Sequence, residues 1–418
     1  PASLSSRFVY RERLRTGRRT FIIKETIGSS PEPGGNTACS GSERSYMRRV
    51  GERMLDLLKR TDLFLWAIIT VISVYALVLL RTVPYTGTRS YFTVQLLAII
   101  IGYVGAVVLT LFDYRDLSSL WWLAAGVSIL LLVYTHFAGV GIQSSGGMDT
   151  RAWIQIPGIG LTFQTSELVK IVFILTYAKH LSAVKERGLL NHPLHVVLLG
   201  LHALFPVAWM VLIQKDMGSA VVFFFMFLVM SFTAGVKLRW FAAIFALLAV
   251  ALPLAWNYGL IRDYQKTRLT SFLHLEDDPT GTGWQQIQGR ISIGSGQMFG
   301  RGLGTAPRVQ KSVVSIQESD YIFSVAAESL GFVGCCLILL LLFVLLLRTL
   351  HVARRAPDTL GAAICMGFFA MIAIQTITNL GMCLNLLPVM GVTLPFFSAG
   401  GSSSACLYFG FGLVECVA

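Results

Sequence analysis

Two carboxylates lie at the start of one very apolar stretch of this sequence. Asp320 is the last charge before that stretch, which runs through Leu347, and Glu328 lies within it. If the stretch is helical, a rise of about 12 Å separates the two side chains. A carboxylate inside an apolar helix is costly, so Glu328 is a candidate functional residue. Asp320 has two open interpretations, a helix N-cap and a base that takes up a proton during catalysis.

Four more charged candidates lie within the motifs R-A-W-I, Q-T-S-E-L-V-K and Q-K-D-M-G-S-A. Glu167 and Lys170 are spaced i, i+3, so on a helix they share one face. They form either a structural ion pair or a functional site in which Lys170 reaches an anionic group. Arg151 precedes them in the first motif. Asp216, in the third motif, is either the cap of the following helix or a functional carboxylate.

A long polar segment, residues 258–319, holds further candidates. Arg268, in Y-Q-K-T-R, carries a guanidinium suited to phosphate, and Gln288 lies in W-Q-Q-I-Q. Glycines around Gly300 either bring backbone N–H groups close to an anion or only add flexibility. Residues 276–278 are acidic and offer a metal site as another alternative, although their spacing is not that of an EF-hand loop.

The last candidate stretch runs from Asn379 to Ser404 and includes Ser398 in L-P-F-F-S-A-G-G-S-S. Prolines and adjacent glycines break helices, and at membrane depth such backbone is tolerated only where it lines a cavity or is buried in protein. The G-G-S-S-S run is alternatively a small-residue face for helix packing.

The elements that must position these residues are membrane helices. Of the 418 residues, 54% are hydrophobic and only 13% are charged, and the mean hydropathy is +0.66. Apolar runs of about 20 residues, each long enough to cross a bilayer, recur along the chain. The sequence therefore predicts an all-α polytopic membrane protein. Ten spans are predicted near residues 62–80, 91–112, 118–136, 166–184, 193–213, 219–236, 239–257, 320–347, 361–386 and 400–417.

The charge distribution predicts the orientation. Residues 1–60 hold thirteen Lys or Arg and six Asp or Glu, which favours a basic, largely disordered cytoplasmic segment ahead of a membrane domain over 61–418. Met47 is a candidate natural start. With an even number of spans the C-terminus is also cytoplasmic, and 137–165 and 258–319 are external, the latter as a large extracellular loop between helices 7 and 8 that packs on the membrane surface. The net charge of +12 is not a nucleic-acid signal, because no basic face with interleaved aromatics is visible.

Taken together and in this order, these blocks resemble the SEDS family (shape, elongation, division and sporulation), which includes RodA, FtsW and SpoVE. The blocks also include S-D-Y-I-F-S-V-A-A-E-S-L-G-F-V-G and D-P-T-G-T-G-W-Q-Q-I-Q, and they run from about residue 60 to the C-terminus. The resemblance implies the ten-helix SEDS fold and a peptidoglycan glycosyltransferase. Such an enzyme polymerises lipid II at the outer face of the bacterial cytoplasmic membrane. The spacing of the loop motifs is closer to RodA than to FtsW.

The resemblance also assigns roles to residues. The acid that the family requires for polymerisation corresponds to Asp320. The remaining blocks imply a substrate-binding set: Lys170, Glu167, Arg151, Asp216, Arg268, Gln288 and Ser398. The chain departs from the usual family pattern at three positions, which are Thr165, Ser329 and Ala399.

The chemistry implied is attack of a sugar hydroxyl on an anomeric carbon, with a lipid pyrophosphate as leaving group. Asp320 is the expected base, and Lys170, Arg151 and Arg268 are expected to stabilise the pyrophosphate. The resemblance suggests help from a divalent cation, Mg²⁺ or Mn²⁺, although the sequence shows no dedicated ligand set, and no organic cofactor is expected.

The expected partners are lipid II, the nascent lipid-linked glycan, the membrane and a class B penicillin-binding protein that acts as transpeptidase. Two other functions remain open. A flippase for lipid-linked precursor would need a polar path to both faces, for which Glu328 and Glu415 are candidates. The other is a non-catalytic scaffold for the transpeptidase.

Overall fold

The computed structural model describes residues 61–85, 90–143, 149–156, 161–259, 261–273 and 281–418, all within the compact unit Arg60–Ala418. The predicted disordered segment 1–60, with Met47, lies outside the described residues. The acidic residues 276–278, considered as a metal site, also lie outside them.

The described residues form fourteen helices and three strands. In chain order the elements are α1 (Leu63–Thr82), α2 (Tyr91–Thr110), α3 (Tyr114–Ser119), α4 (Trp121–Ala138), β1 (Val140–Gln143), β2 (Asp149–Ile156), β3 (Leu161–Gln164), α5 (Thr165–Glu186), α6 (Pro193–Trp209), α7 (Met217–Ala234), α8 (Leu238–Asn257), α9 (Asp263–Leu273), α10 (Thr282–Ser295), α11 (Pro307–Gln310), α12 (Ile322–Arg355), α13 (Thr359–Cys383) and α14 (Gly401–Val417). A π-helical turn, Met210–Gln214, extends α6.

Helices occupy all ten predicted span positions. Eight helices in the described part of the chain are long and apolar enough to cross a membrane, namely α1, α2, α4, α6 with its π-helical turn, α7, α8, α12 and α13. The other two predicted spans are α5 and α14. Charged residues interrupt α5, α14 has 17 residues, and both are largely enclosed by neighbouring helices. The prediction of an all-α polytopic membrane protein is confirmed.

α13 lies at the centre of the bundle. Its most apolar window is 78% buried, and it packs against α5, α7, α12 and α14, while α14 also packs along α2. In contrast, α8 exposes apolar side chains such as Leu247 and Leu252. Such exposure is acceptable next to lipid, whose tails are as apolar as leucine.

Both long segments that are predicted to be external, 137–165 and 258–319, contain regular structure. The first forms a three-stranded antiparallel sheet in which Trp153 pairs with Gln164, and β3 leads directly into α5. This sheet was not predicted from the sequence. The second segment forms α9, α10 and α11, and α10 packs against α12 and α13. Elements of both segments are therefore packed against the helical bundle.

α12 is interrupted near its start. Gly331 has φ 70° and ψ −164°, so the helix is broken there. The segment 297–302 fills the break: the Phe332 N–H donates to the Gln297 carbonyl at 2.8 Å, and the Arg301 N–H donates to the Glu328 carbonyl at 2.8 Å. Backbone groups that a continuous helix would pair internally are thus paired with this segment. The first part of α12 and the segment 297–302 are therefore one structural unit.

Candidate active site

Asp320 lies in the turn that leads into α12. The helix begins at Ile322, its N-cap residue is Tyr321, and it has no side-chain cap hydrogen bond. The N-cap interpretation of Asp320 is therefore wrong. Tyr321 is buried, whereas Asp320 is half-buried. The Asp320 carboxylate does not cap the helix and can take another role at its mouth.

Two side chains distant in sequence hold the backbone of this turn. Asn379, fully buried in α13, donates through Nδ2 to the carbonyls of Asp320 and Val392, both at 2.8 Å. Ser398 donates its hydroxyl to the Ser319 carbonyl at 2.6 Å. Ser398, predicted to bind substrate, is here a support for the turn. Asn379 was not among the predicted site residues, although it lies in the last candidate stretch.

The surroundings of Asp320 favour a proton acceptor that works near neutral pH. Burial of the carboxyl group among protein atoms is the main cause that raises the pKa of Asp320 to about 6. The negative charges of Glu318 and Asp216 raise this pKa further. The Ser319 hydroxyl, which donates to Oδ1 at 2.9 Å, and the Arg268 guanidinium oppose the rise. A general base is most effective when its pKa lies close to the working pH.

Asp216 is fixed at the start of α7. The chain leaves the π-helical turn through Lys215, which has a left-handed φ of 59°. Asp216 then caps α7, accepting the Ser219 N–H at 2.9 Å and the Ser219 hydroxyl at 2.7 Å. The cap interpretation of Asp216 is confirmed. The charges of Asp216 and Arg268 both act on the Asp320 carboxyl group, so these three side chains lie within electrostatic range of one another.

Glu167 and Lys170 form a closed ion pair at the start of α5. Nζ lies 2.8 Å from Oε1, and the side chains are 2% and 7% exposed for Lys170 and Glu167 respectively. Ser403, at the start of α14, donates to the other oxygen of Glu167 at 3.3 Å. The Ser219 hydroxyl, at the start of α7, donates to the Ser166 hydroxyl at 3.4 Å. The pair thus connects α5 to the start of α14, and the neighbouring Ser166 connects α5 to the start of α7.

The remaining predicted residues are not joined to Asp320 by any contact that the structure describes. The Gln288 side chain accepts from Arg308 Nη2 at 2.5 Å, and Arg308 Nε donates to Ser292 at 2.9 Å. Gln288 thus belongs to the packing of α10 against α11. Arg151 lies in β2, where its backbone is paired with Gly141.

The loop glycines contact protein backbone. The Gly300 N–H donates to the Gly296 carbonyl at 2.8 Å, and the Gly302 N–H donates to the Ser329 carbonyl at 3.0 Å. These two N–H groups are therefore occupied, and the anion-binding interpretation is wrong for them. Gly300 has φ 82°, and a Cβ there would overlap the Ser329 carbonyl. The glycine allows the loop to approach α12 closely.

A dedicated metal site does not fit the residues that the structure describes. They contain no group of three or more His, Cys, Asp or Glu side chains that could hold a metal ion. Both oxygens of Asp216 are already occupied by Ser219.

Comparison with known proteins adds independent evidence. The family model described as "Cell cycle protein" for FtsW, RodA and SpoVE matches residues 56–418. The probable peptidoglycan glycosyltransferase FtsW of Trichlorobacter lovleyi is 34% identical over 332 residues, covering 77% of this chain and 81% of that protein. Stage V sporulation protein E of Bacillus subtilis is 36% identical over 291 residues, covering 69% and 76%. Peptidoglycan glycosyltransferase MrdB of Escherichia coli K12 is 34% identical over 278 residues, covering 66% and 73%.

Solved structures are similar over most of the bundle. One is a chain from a structure described as "Structural coordination of polymerization and crosslinking by a peptidoglycan synthase complex". The similarity to that chain has a TM-score of 0.70 at 29% identity and covers 85% of this chain and 97% of that one. The rod shape determining protein RodA of Thermus thermophilus has a TM-score of 0.61 at 28% identity, covering 85% and 96%.

Proposed function

We propose, because this chain belongs to the FtsW, RodA and SpoVE family, that it polymerises lipid II into glycan strands. It is an integral membrane peptidoglycan glycosyltransferase, and the proposed place of reaction is the outer face of the bacterial cytoplasmic membrane. Within the family, we favour the elongation role of RodA on the spacing of the loop motifs alone.

One observation carries the mechanism: Asp320 is half-buried and held in a fixed turn, and burial of its carboxyl group raises the pKa to about 6. Asp320 takes the proton from the GlcNAc 4-hydroxyl of one lipid-linked substrate. The oxygen attacks the anomeric carbon of the other substrate, and the bond from that carbon to the pyrophosphate oxygen breaks. Lipid pyrophosphate leaves with the bonding electrons. Direct displacement converts the α-linked donor into a β-linked glycan.

Arg268 is the cation that we assign to the leaving pyrophosphate. Its side chain is partly exposed, and its charge acts on Asp320. A guanidinium can bind two phosphate oxygens at once, which suits the charge that develops as the bond breaks. Lys170 is buried against Glu167, so any contact it makes with substrate requires that pair to open. The role of Arg151 in binding pyrophosphate stays a prediction.

A divalent cation is still proposed, but as an ion bound together with the substrate and not in a dedicated protein site. Mg²⁺ is commonly bound through one or two carboxylates and the phosphates of a substrate, without a complete protein site. We therefore propose that Mg²⁺ or Mn²⁺ arrives with the pyrophosphate. Loss of polymerisation on chelation, restored by added Mg²⁺, is the expected result.

The proposed protein partner is a class B penicillin-binding protein. This proposal is supported by the similarity to a chain from a complex that coordinates polymerization and crosslinking. Cross-linking is a separate reaction, and the set of S-x-x-K with S-D-N and K-T-G that is typical of the penicillin-binding transpeptidases is not found in this sequence, which has neither S-D-N nor K-T-G.

The flippase alternative receives little support from the two carboxylates that favoured it. Glu328 accepts the backbone N–H of Arg308 at 2.8 Å. Glu415, at the other end of the bundle, accepts the backbone N–H of Asp62 at 2.7 Å, beside the ion pair of Asp62 with Arg348. Both acids thus have local protein partners in the described part of the chain.

Asp320→Asn tests the proposal. The variant keeps the size of the side chain but removes the base, and we expect a loss of about 10²-fold to 10⁴-fold in lipid II polymerisation. Glu318→Gln is the matched control, since it removes a neighbouring carboxylate and leaves Asp320 in place. Glycan products are resolved on a gel, with the penicillin-binding partner added. Normal polymer from folded Asp320→Asn would refute the assignment of the base.

A further inference from the structure

The end of the bundle opposite Asp320 contains a second candidate site. It is a cavity of about 360 Å³, a size common among ligand pockets. The last turns of α5, α7 and α12 and the first turns of α13 surround it. Since α12 begins beside Asp320 and ends at this cavity, the whole length of the bundle separates the two sites.

Two cations lie at the rim of this cavity. Lys185 and Arg354 are both exposed, and neither forms an ion pair with any residue that the structure describes. Each lies in the last turn of its helix, where positive charge is favourable beside the helix dipole. The helix dipole therefore explains why a cation lies at each helix end. It does not explain why a cavity lies between the two cations.

Acidic side chains near the rim do not neutralise both cations. Asp358 precedes α13, but Arg115 binds it at 2.8 Å. Glu186 is exposed and accepts the hydroxyl of Ser182, a lining residue, at 3.0 Å. Two cations therefore face at most one uncompensated carboxylate in the described part of the chain.

The lining combines polar and apolar side chains. Lys185, Arg354 and Thr359 lie at helix ends, whereas Leu350, Ala363 and Met366 lie about a turn or more further into their helices. A ligand that fits this arrangement has an anionic group at one end and hydrocarbon at the other. An inorganic anion would leave the apolar lining unused.

We propose that this cavity binds an anionic phospholipid, with its phosphate between Lys185 and Arg354. The loops at this end of the bundle are those expected to face the cytoplasm, where anionic lipids attract basic residues. The segment 1–60, predicted to lie on the same side, carries an excess of basic residues and does not complement the rim.

Lipid binding to the full chain tests this directly. Protein in detergent micelles is titrated with phosphatidylglycerol or phosphatidylcholine, and bound lipid is counted by native mass spectrometry. Lys185→Gln/Arg354→Gln should weaken phosphatidylglycerol binding by about 30-fold, since each cation near a lipid surface contributes about fivefold. Arg187→Gln/Arg355→Gln is the matched control. It removes the same charge at the same end of the bundle from residues that do not line the cavity, and we expect binding within about twofold of wild type.

Ala362→Leu tests whether binding needs the space in the cavity, because it leaves both cations in place. Ala362 lines the cavity and is partly exposed, so a leucine fits only by occupying cavity space. We expect it to abolish tight phosphatidylglycerol binding. Unchanged binding by Ala362→Leu, equal loss in both double variants, or equal affinity for the two lipids overturns the proposal. Displacement of phosphatidylglycerol by millimolar inorganic phosphate identifies a phosphate site and overturns it too. None of these results depends on glycosyltransferase activity.

Discussion

Asn379→Leu removes the two hydrogen bonds that fix the Asp320 turn and keeps a side chain of similar size. Nδ2 lies 2.8 Å from the carbonyls of Asp320 and Val392. A buried carbonyl left without a donor costs about 1–3 kcal/mol, so two cost about 2–6 kcal/mol. The Asp320 carbonyl keeps the weak thiol contact of Cys383 at 3.6 Å, which places the expected loss of stability in the lower part of that range.

The larger effect is expected on the rate. A displacement of a catalytic group by about 1 Å can cost about 100-fold, equivalent to about 2.7 kcal/mol of activation free energy. The assay is lipid II polymerisation per amount of folded protein, with thermal unfolding measured on the same preparation. A stability loss without a rate loss would show that Asn379 supports the fold and not the position of Asp320.

Thr378→Val is the matched control for this experiment. Thr378 is the preceding residue, is buried, and donates to the carbonyls of Ile374 and Gln375 within α13. We expect this variant to polymerise at the wild-type rate. If Thr378→Val loses as much activity as Asn379→Leu, or if folded Asn379→Leu is fully active, the reasoning is refuted.

Three further predictions concern the pKa of Asp320, the close approach of Gly300 to α12 and the ion pair of Glu167 with Lys170. Because only deprotonated Asp320 accepts a proton, the polymerisation rate should rise about tenfold per pH unit below about 6 and level off above it; a flat profile from pH 5 to 7 would contradict this. Gly300→Ala should lower the unfolding temperature more than Gly304→Ala, since φ is positive at both but only the first Cβ meets backbone; equal shifts would count against the overlap. Lys170→Met should cost about 3–5 kcal/mol of stability by leaving Glu167 unpaired, and Glu167→Gln/Lys170→Met should cost less; a double variant less stable than the single would exclude this ion-pair effect.

The positions of the helices could be predicted because long apolar runs are a strong local signal. Even α5 was predicted despite its charges, and the predicted start of α12 differs from the observed one by only two residues. The sheet of β1, β2 and β3 was missed because its strands are short and do not alternate clearly between apolar and polar residues. Local pattern therefore identified the helical bundle but not the short strands between its helices.

The contacts that position Asp320 could not be predicted in the same way. Asn379 and Ser398 are 59 and 79 residues from the backbone groups that they bind. No periodicity in the sequence reports such pairs. The role of the loop glycines could not be predicted either, because a residue without a Cβ allows its backbone to approach an anion or a helix equally well. Only the tertiary structure shows that Gly300 approaches α12.

The break at Gly331 has a consequence for the order in which the protein assembles. The part of α12 after the break, from Phe332 onward, is long and apolar enough to enter the bilayer on its own. The part before it, which follows Asp320, has unpaired backbone groups until residues 297–302 dock. We therefore expect membrane insertion to come first and completion of the active site to be a separate, later event. A newly inserted chain would then be anchored but inactive, and slow hydrogen exchange at Phe332 and Arg301 would mark the moment at which it matures.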